Sequence, residues 1–305
     1  MKFQLKKPAV LDVSRYQLEV DWSQVAPRPT LVICKASEGN NVIDTAFSTY
    51  WANLKALNIT RGAYHFFHAE MDGAQQFDNY QNAVMQAGGF ISADLPPAIG
   101  VEGLDVASPE VRKAAAASIK TWLDKAQVFS GKVPMIYTSK YQWSFVTDQN
   151  GKTPAWSGNY PLWVAWYPDK PDKFSAPPLS VLPAGWNQWG VWQYSNNGQV
   201  TGITVPVDLD ILSDWFAKQL GQPNPPATVY QGTVVAPSGV NVRAKPDVTS
   251  TKLGALAAGT VVKGKSIKVI SQTEAWLELT DPMSGWCAIV YGGTTLISVN
   301  PSTAA

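Results

Sequence analysis

Eight short apolar runs recur across the first 220 residues, each carrying a polar or aromatic side chain at or near its end: 9–13, 31–35, 61–67, 98–102, 134–138, 162–166, 190–194 and 205–209. Runs this short, bounded by turn signals, fit strands buried on both faces better than helices. Between the early runs lie helix-like stretches at 47–57, 74–87 and 109–129. The last opens with Ser108-Pro109-Glu110, an N-cap followed by proline at the first helical position. Strands alternating with helices, in a chain of 305 residues that can bury a large core, predict an α/β barrel. Between 167 and 187 the sequence is rich in Pro, Asp and Lys without a helical period, so the expected fold is an irregular TIM-like (β/α) barrel whose later strands need not all run parallel.

The segment Gln219-Leu220-Gly221-Gln222-Pro223-Asn224-Pro225-Pro226 reads as the end of a helix and a stiff, extended linker. It divides the chain into a barrel domain at 1–220, a linker at 221–227 and a second domain at 228–305. In the last, runs at 232–235, 240–244, 260–268, 276–279 and 285–290 alternate with Gly, Pro, Asp and Ser turns, which predicts a small all-β barrel.

Charge excludes one class of partner. The net charge is +1, with 18 basic against 19 acidic residues before position 226 and 6 against 4 after it. Neither part has the surplus of Lys and Arg needed to neutralise phosphates, so no nucleic acid is expected. No apolar stretch approaches the ~18 residues of a membrane span, so no membrane partner is expected either. Cys34 and Cys287 fall in different domains, which argues against a disulfide, and Cys34 inside Leu31-Val32-Ile33-Cys34 reads as a buried apolar residue. His65 and His68 have no further His or Cys to complete a metal site, so neither metal nor cofactor is expected. Lys2, Lys6 and Lys7 run straight into a strand-like segment, and no signal peptide is visible.

In an α/β barrel the C-terminal ends of the strands share one mouth, so residues far apart in the chain face one ligand. The polar residues at those ends are Asp12, Lys35 and Glu38, Tyr64 and His65, Glu102, Tyr137, Trp166, Gln193 and Asp208. Three carboxylates among them suit glycoside chemistry, in which one group protonates the leaving oxygen and another balances positive charge at the sugar carbon. Glu102 is the foremost candidate acid, because a carboxylate closing an apolar strand must meet a partner or a solvent-filled cleft. Most of the 13 tryptophans lie in the first domain, among them Trp163, Trp166, Trp186, Trp189 and Trp192, and flat aromatic faces stack on sugar rings. Local alternatives exist: Glu38 pairs with Lys35, and Asp210 reads as a turn or cap residue before a helix at 212–220.

The motifs Leu11-Asp12-Val13-Ser14 with Gln17, Lys35-Ala36-Ser37-Glu38-Gly39, Gly62-Ala63-Tyr64-His65-Phe66-Phe67, Val101-Glu102, Trp192-Gln193-Tyr194 and Val207-Asp208-Leu209 occur in one order over about residues 8–220. Together they resemble the lysozymes of glycoside hydrolase family 25. The resemblance implies an irregular α/β barrel that cleaves the β-1,4 bond between N-acetylmuramic acid and N-acetylglucosamine in bacterial peptidoglycan. It implies Glu102 as general acid with Asp12 and Asp208 arranging the cleft, and Lys35, Glu38, Tyr64, Tyr137, Trp166 and Gln193 as substrate-binding residues. The tail, from Gly239-Val240-Asn241-Val242-Arg243 to Trp276-Leu277-Glu278-Leu279, resembles a bacterial SH3-type domain, which implies a wall-binding module with Trp276 and Trp286 as possible platforms. A monomer acting outside the cytoplasm on the bacterial wall, as a phage-type lysin released by lysis does, is the corresponding expectation.

One position departs from the family pattern. Where members carry Asp-x-Glu on the fourth strand, this chain has Gly100-Val101-Glu102. Residues two apart share one face of a strand, so the absent carboxylate would have stood beside Glu102. Two consequences are expected: a loss of on the order of 3 kcal/mol in barrier lowering, and a Glu102 that ionises more easily.

Overall fold

Seven parallel strands and one antiparallel strand close into a barrel in the computed structural model, which describes residues 10–17, 20–171, 174–220, 228–271 and 273–303. The strands are β1 (Val10–Val13), β2 (Leu31–Glu38), β4 (Thr60–Phe67), β5 (Ala98–Val101), β6 (Met135–Thr138), β7 (Leu162–Ala165), β8 (Val191–Gly198) and β9 (Val207–Leu212). A two-residue strand, β3 (Val42–Ile43), pairs antiparallel with β2 at the rim. All eight runs anticipated from the sequence are strands, with two changes of boundary that matter. The expected start at Ala9 lies outside the described residues, and β9 continues to Leu212, past the expected 209.

β9 is the irregular strand. It runs antiparallel to β8 on one side and to β1 on the other, while β1 also pairs parallel with β2 and so closes the ring. No helix separates β8 from β9, as the sequence between them lacks helical spacing, so β9 returns directly alongside its predecessor.

Helices α1 (Phe47–Ala56), α2 (Gly73–Gln86) and α3 (Pro109–Ser130) pack outside the barrel. The Ser108 hydroxyl accepts from the Val111 N–H at 3.3 Å, Pro109 follows at N1, and Gly131 at φ +69° ends α3 in a left-handed turn. Asp72 caps α2 by accepting from the Ala74 and Gln75 N–H groups. Two shorter helices, α4 (Lys140–Trp143) and α5 (Asp214–Leu220), follow β6 and β9.

The two-residue strand period sorts the barrel interior into a dry floor and a polar mouth. Val10, Ile33, Met135 and Val191 belong to one buried cluster with Leu31, Ala98 and Phe216. Two positions further along the same faces come Asp12, Lys35, Tyr137 and Gln193. Each strand thus supplies apolar filling and then a polar group at its end. No helix among the described residues is long and apolar enough to cross a membrane.

The chain divides into two compact units, Met1–Pro223 and Asn224–Ala305; the linker expected at 221–227 lies outside the described residues. The second unit contains β10 (Thr228–Val234), β11 (Val240–Arg243), β12 (Lys252–Leu256), β13 (Val261–Ser271), β14 (Glu274–Asp281), β15 (Gly285–Tyr291), β16 (Thr294–Thr295) and β17 (Ile297–Thr303). Every pairing among them is antiparallel, in the order β12-β11-β15-β14-β13-β10-β17, with β16 on β15. β12, β16 and β17 were not anticipated: Gly254 interrupts the first, the second is two residues long, and Asn300-Pro301 disguises the third. Val234, Val242, Val262, Leu277 and Cys287 fill its core. Trp276 is 1% exposed, with its indole N–H donating to Glu274 Oε1 at 2.8 Å, so it packs in the interior and is no platform. Trp286 is half-buried, opposite Arg243 and Glu278 on the neighbouring strands.

Candidate active site

A cavity of about 270 Å³ opens at the C-terminal ends of the parallel strands. Glu102, Asp12 and Asp208 all line it, together with Lys35, Tyr64, Tyr137 and Gln193. Asp12 and Asp208 are direct register partners across the β1–β9 seam. Glu102 follows the last residue of β5, and Gly103 at φ +71° then turns the chain away.

A hydrogen-bonded chain holds one wall of the cavity. The Tyr137 hydroxyl donates to Gln193 Oε1 at 2.7 Å, and the Tyr167 hydroxyl donates to the same oxygen. With its oxygen occupied, Gln193 turns its amide outward, and Nε2 donates to Asp12 Oδ2 at 2.7 Å. Tyr64 and Tyr137 both meet Trp163 edge-on, at 5.9 Å and 4.7 Å between ring centroids.

The acids differ in how burial affects them. Burial pushes Glu102 up to about 7, the charge of Asp208 adds to the rise, and Lys35 opposes it. Burial raises Asp208 to about 6, against the pull of a hydrogen bond from Asp12. Asp12 lies well above the usual carboxylate range, through burial first and then the charges of Asp208 and Asp210. The expectation that the charge absent at Gly100 lets Glu102 ionise more easily is a comparison with Asp at that position; burial, with Asp208 adding a neighbouring negative charge, nonetheless holds Glu102 above its ordinary value.

Gly100 itself faces this group: a Cβ there would stand 3.9 Å from Glu102 Oε1 and no closer than 3.4 Å to anything else. Asp105 does not fill the space. It sits in a 3-10 turn beyond the strand, where its Oδ1 accepts from Gln142 Nε2 at 2.8 Å.

Three sequence-predicted residues lie elsewhere. Glu38 is not on the cavity wall; it accepts from Lys35 Nζ at 2.6 Å and meets His68 Nε2 at 3.0 Å. It fixes Lys35, whose ammonium also lies 4.9 Å from the Phe66 ring centre. Trp166 stacks on Trp192 at 5.6 Å and packs against the core just past the end of β7 at Ala165. Its neighbour Tyr167 lines the cavity in its place. His65 points outward from β4, accepting from the Ser37 hydroxyl at 2.8 Å, donating to Gln76 Oε1 at 3.2 Å and stacking on Trp122; burial lowers it to about 3 and keeps it neutral.

Sequence reasoning missed Tyr16 and Tyr167, which are 67% and 45% exposed and line the cavity. Of the tryptophans expected to stack on sugar, only Trp163 reaches the cavity, and it is 1% exposed. Asp210 was also misread. It is no cap but a strand residue, wholly buried, whose Oδ1 accepts from Trp163 Nε1 at 2.7 Å. Among the described residues no three His, Cys, Asp or Glu side chains are placed to hold a metal ion.

Known proteins share this barrel. The chain is 30% identical over 211 residues to YegX of Escherichia coli K12, an uncharacterized protein, covering 67% of this chain and 68% of that one. It is 29% identical over 226 residues to lysozyme M1 of Streptomyces globisporus, covering 70% of each. The crystal structure of a bacterial lysozyme from Streptomyces coelicolor superposes with a TM-score of 0.59 at 26% identity, covering 72% of this chain and 99% of that one. The sequence pattern of the glycosyl hydrolases family 25 matches residues 11–203, most of the barrel unit, and the chain belongs to that family.

Proposed function

We propose that the barrel unit is a peptidoglycan hydrolase that cleaves the β-1,4 bond between N-acetylmuramic acid and N-acetylglucosamine. The observation that carries this reading is the meeting of Glu102, Asp208 and Asp12 in one cavity at the strand ends, where burial raises each above the ordinary carboxylate range. Glu102, raised to about 7, keeps its proton in a large share of molecules at neutral pH and gives it to the leaving glycosidic oxygen. Asp208, ionised above about 6, balances the positive charge that grows at the sugar carbon. Asp12, held by Gln193, orients the sugar beside them. Lys35, Tyr64 and Tyr137 line the subsite, and the exposed rings of Tyr16 and Tyr167 offer stacking faces at its rim. The step needs no metal or cofactor, and the protein works as a monomer on the bacterial wall.

The second unit, read as an SH3-like module, holds the wall. Its support is the all-antiparallel architecture and the half-buried Trp286. Trp286→Ala is expected to weaken sedimentation of the full chain with purified walls and to leave turnover of soluble glycan unchanged.

Reducing-sugar release from purified walls tests the main reading. Glu102→Gln should lower it by about two decades or more while the protein still sediments with walls. Equal release by the two proteins rejects Glu102 as the acid. Gly100 favours a second reading, a barrel that holds glycan without cutting it. Wall binding with no release by the unaltered chain, and release restored by Gly100→Asp, would establish that one.

A further inference from the structure

We infer that Asp210 is a positioning residue for the cleft: it and Asp12 hold one proton between them, so that Asp12 faces the substrate as a neutral carboxylic acid. The inference rests on reading the cleft as a glycoside-cleaving site, and deepens that reading.

The argument begins with strand register. On the seam between β1 and β9, Val10 opposes Asp210 and Asp12 opposes Asp208, so the three acids share one face; on the other side Gln193 opposes Asp210. Asp12 is therefore flanked by both acids of β9, and each of Asp208 and Asp210 acts on its carboxyl. Asp12 is 4% exposed and Asp210 not at all.

The donors can then be counted. Gln193 Nε2 serves Asp12 Oδ2, and Trp163 Nε1 serves Asp210 Oδ1. Asp210 Oδ2 is buried, and no N–H of the described residues reaches it. Among the described residues Lys35 is the cation that lines the cavity, and it is paired with Glu38. Two buried carboxylates served by two neutral N–H groups would be an uncompensated double charge. One proton, covalent on Asp12 and directed between Asp210 Oδ2 and Asp208, removes one charge and gives the orphaned oxygen a donor. Burial raises both groups, as this sharing requires.

The remaining titratable groups facing the pair are Asp208 on β9, Glu102 after β5, Lys35 on β2, and the tyrosines Tyr64, Tyr137 and Tyr167. With Asp12 neutral, the negative charges on this seam are those of Asp208 and the fully buried Asp210, and of the two only Asp208 lines the cavity with Glu102. Were Asp12 charged, it would press Asp208 and Glu102 to hold their protons to higher pH, and Asp208 would lose its role.

Carbon-13 NMR of aspartate carboxyls in the full-length protein, followed across pH, tests this. The unaltered chain should show an aspartate that keeps its proton above the Asp208 transition. Asp210→Asn supplies an amide donor in place of the acceptor, so the Asp12 transition should fall by about one pH unit or more. In wall-cleavage kinetics the same variant should move the acid limb of the pH profile upward and lower kcat more than it changes KM. Trp163→Phe, which strips the N–H from Asp210 Oδ1, should move the shared transition upward, and gives a second reading should the first variant not fold. An Asp12 that titrates in the ordinary carboxylate range, or a transition that neither variant moves, overturns the inference. The titration judges the proton pair, and wall cleavage by the unaltered chain judges the hydrolase reading, so failure of one is distinct from failure of the other.

Discussion

Asp12 on β1 and Asp208 on β9 stand opposite each other across an antiparallel seam of the barrel. This pairing brings together acids nearly two hundred positions apart, and it follows from β9 running backward. Glu102 completes the group from the far wall, and the following expectations derive from this arrangement.

Activity should be confined to a narrow pH window. Glu102 must carry its proton, which is lost as pH rises through about 7, and Asp208 must be ionised, which fails as pH falls through about 6. The profile of kcat/KM on wall fragments is expected to be bell-shaped, highest between these values. A profile flat into the alkaline range would contradict the assignment of Glu102 as acid.

Gly100→Asp should fit without moving the backbone, because a Cβ there makes only ordinary contacts. The new charge beside Glu102 raises its hold on the proton further, so the alkaline limb of the profile should shift upward. Cleavage should quicken by up to about two decades if the carboxylate also steadies the transition state. Comparing pH profiles of the two proteins separates these effects.

Removing the Glu102 charge should stabilise the fold, and only at higher pH. The folded-state value of about 7 exceeds the ordinary 4.5, so the folded protein holds a proton that the unfolded chain releases. That contribution is complete below the unfolded value and is lost as pH rises through the folded one. Glu102→Gln is therefore expected to add on the order of 3 kcal/mol at about pH 8 and almost nothing at about pH 4. Thermal melts at both pH values measure the difference.

Gln193→Leu should be costly beyond its size. It removes the N–H bound to Asp12 and leaves the buried Tyr137 hydroxyl and the Tyr167 hydroxyl at the rim without their acceptor. A loss of about 2–3 kcal/mol in stability is expected, against about 1 kcal/mol for Tyr137→Phe, which breaks one bond only. Denaturant titration of both variants checks the ranking.

The barrel was legible because strands buried on both faces must be short apolar runs, and 98–102 or 134–138 read as nothing else. Glu102, Asp12 and Asp208 were legible for a related reason, as acids ending such runs. What failed depended on tertiary burial. Trp166 and Tyr167 are adjacent aromatics beyond the end of β7, and only the folded chain shows that Tyr167 is the one on the cleft. Asp210 looked like a cap because nothing local shows that β9 continues to Leu212. For Glu102, counting neighbouring charges left out the larger effect, removal from water, which a linear sequence does not display.

The apolar floor beneath the acids has a mechanical corollary. Packed Val10, Ile33, Met135 and Val191 stopper the barrel from below, so there is no back door. A glycan longer than the cavity cannot thread through this floor; it has to enter, and its fragments have to leave, by the one mouth at the C-terminal ends of the strands.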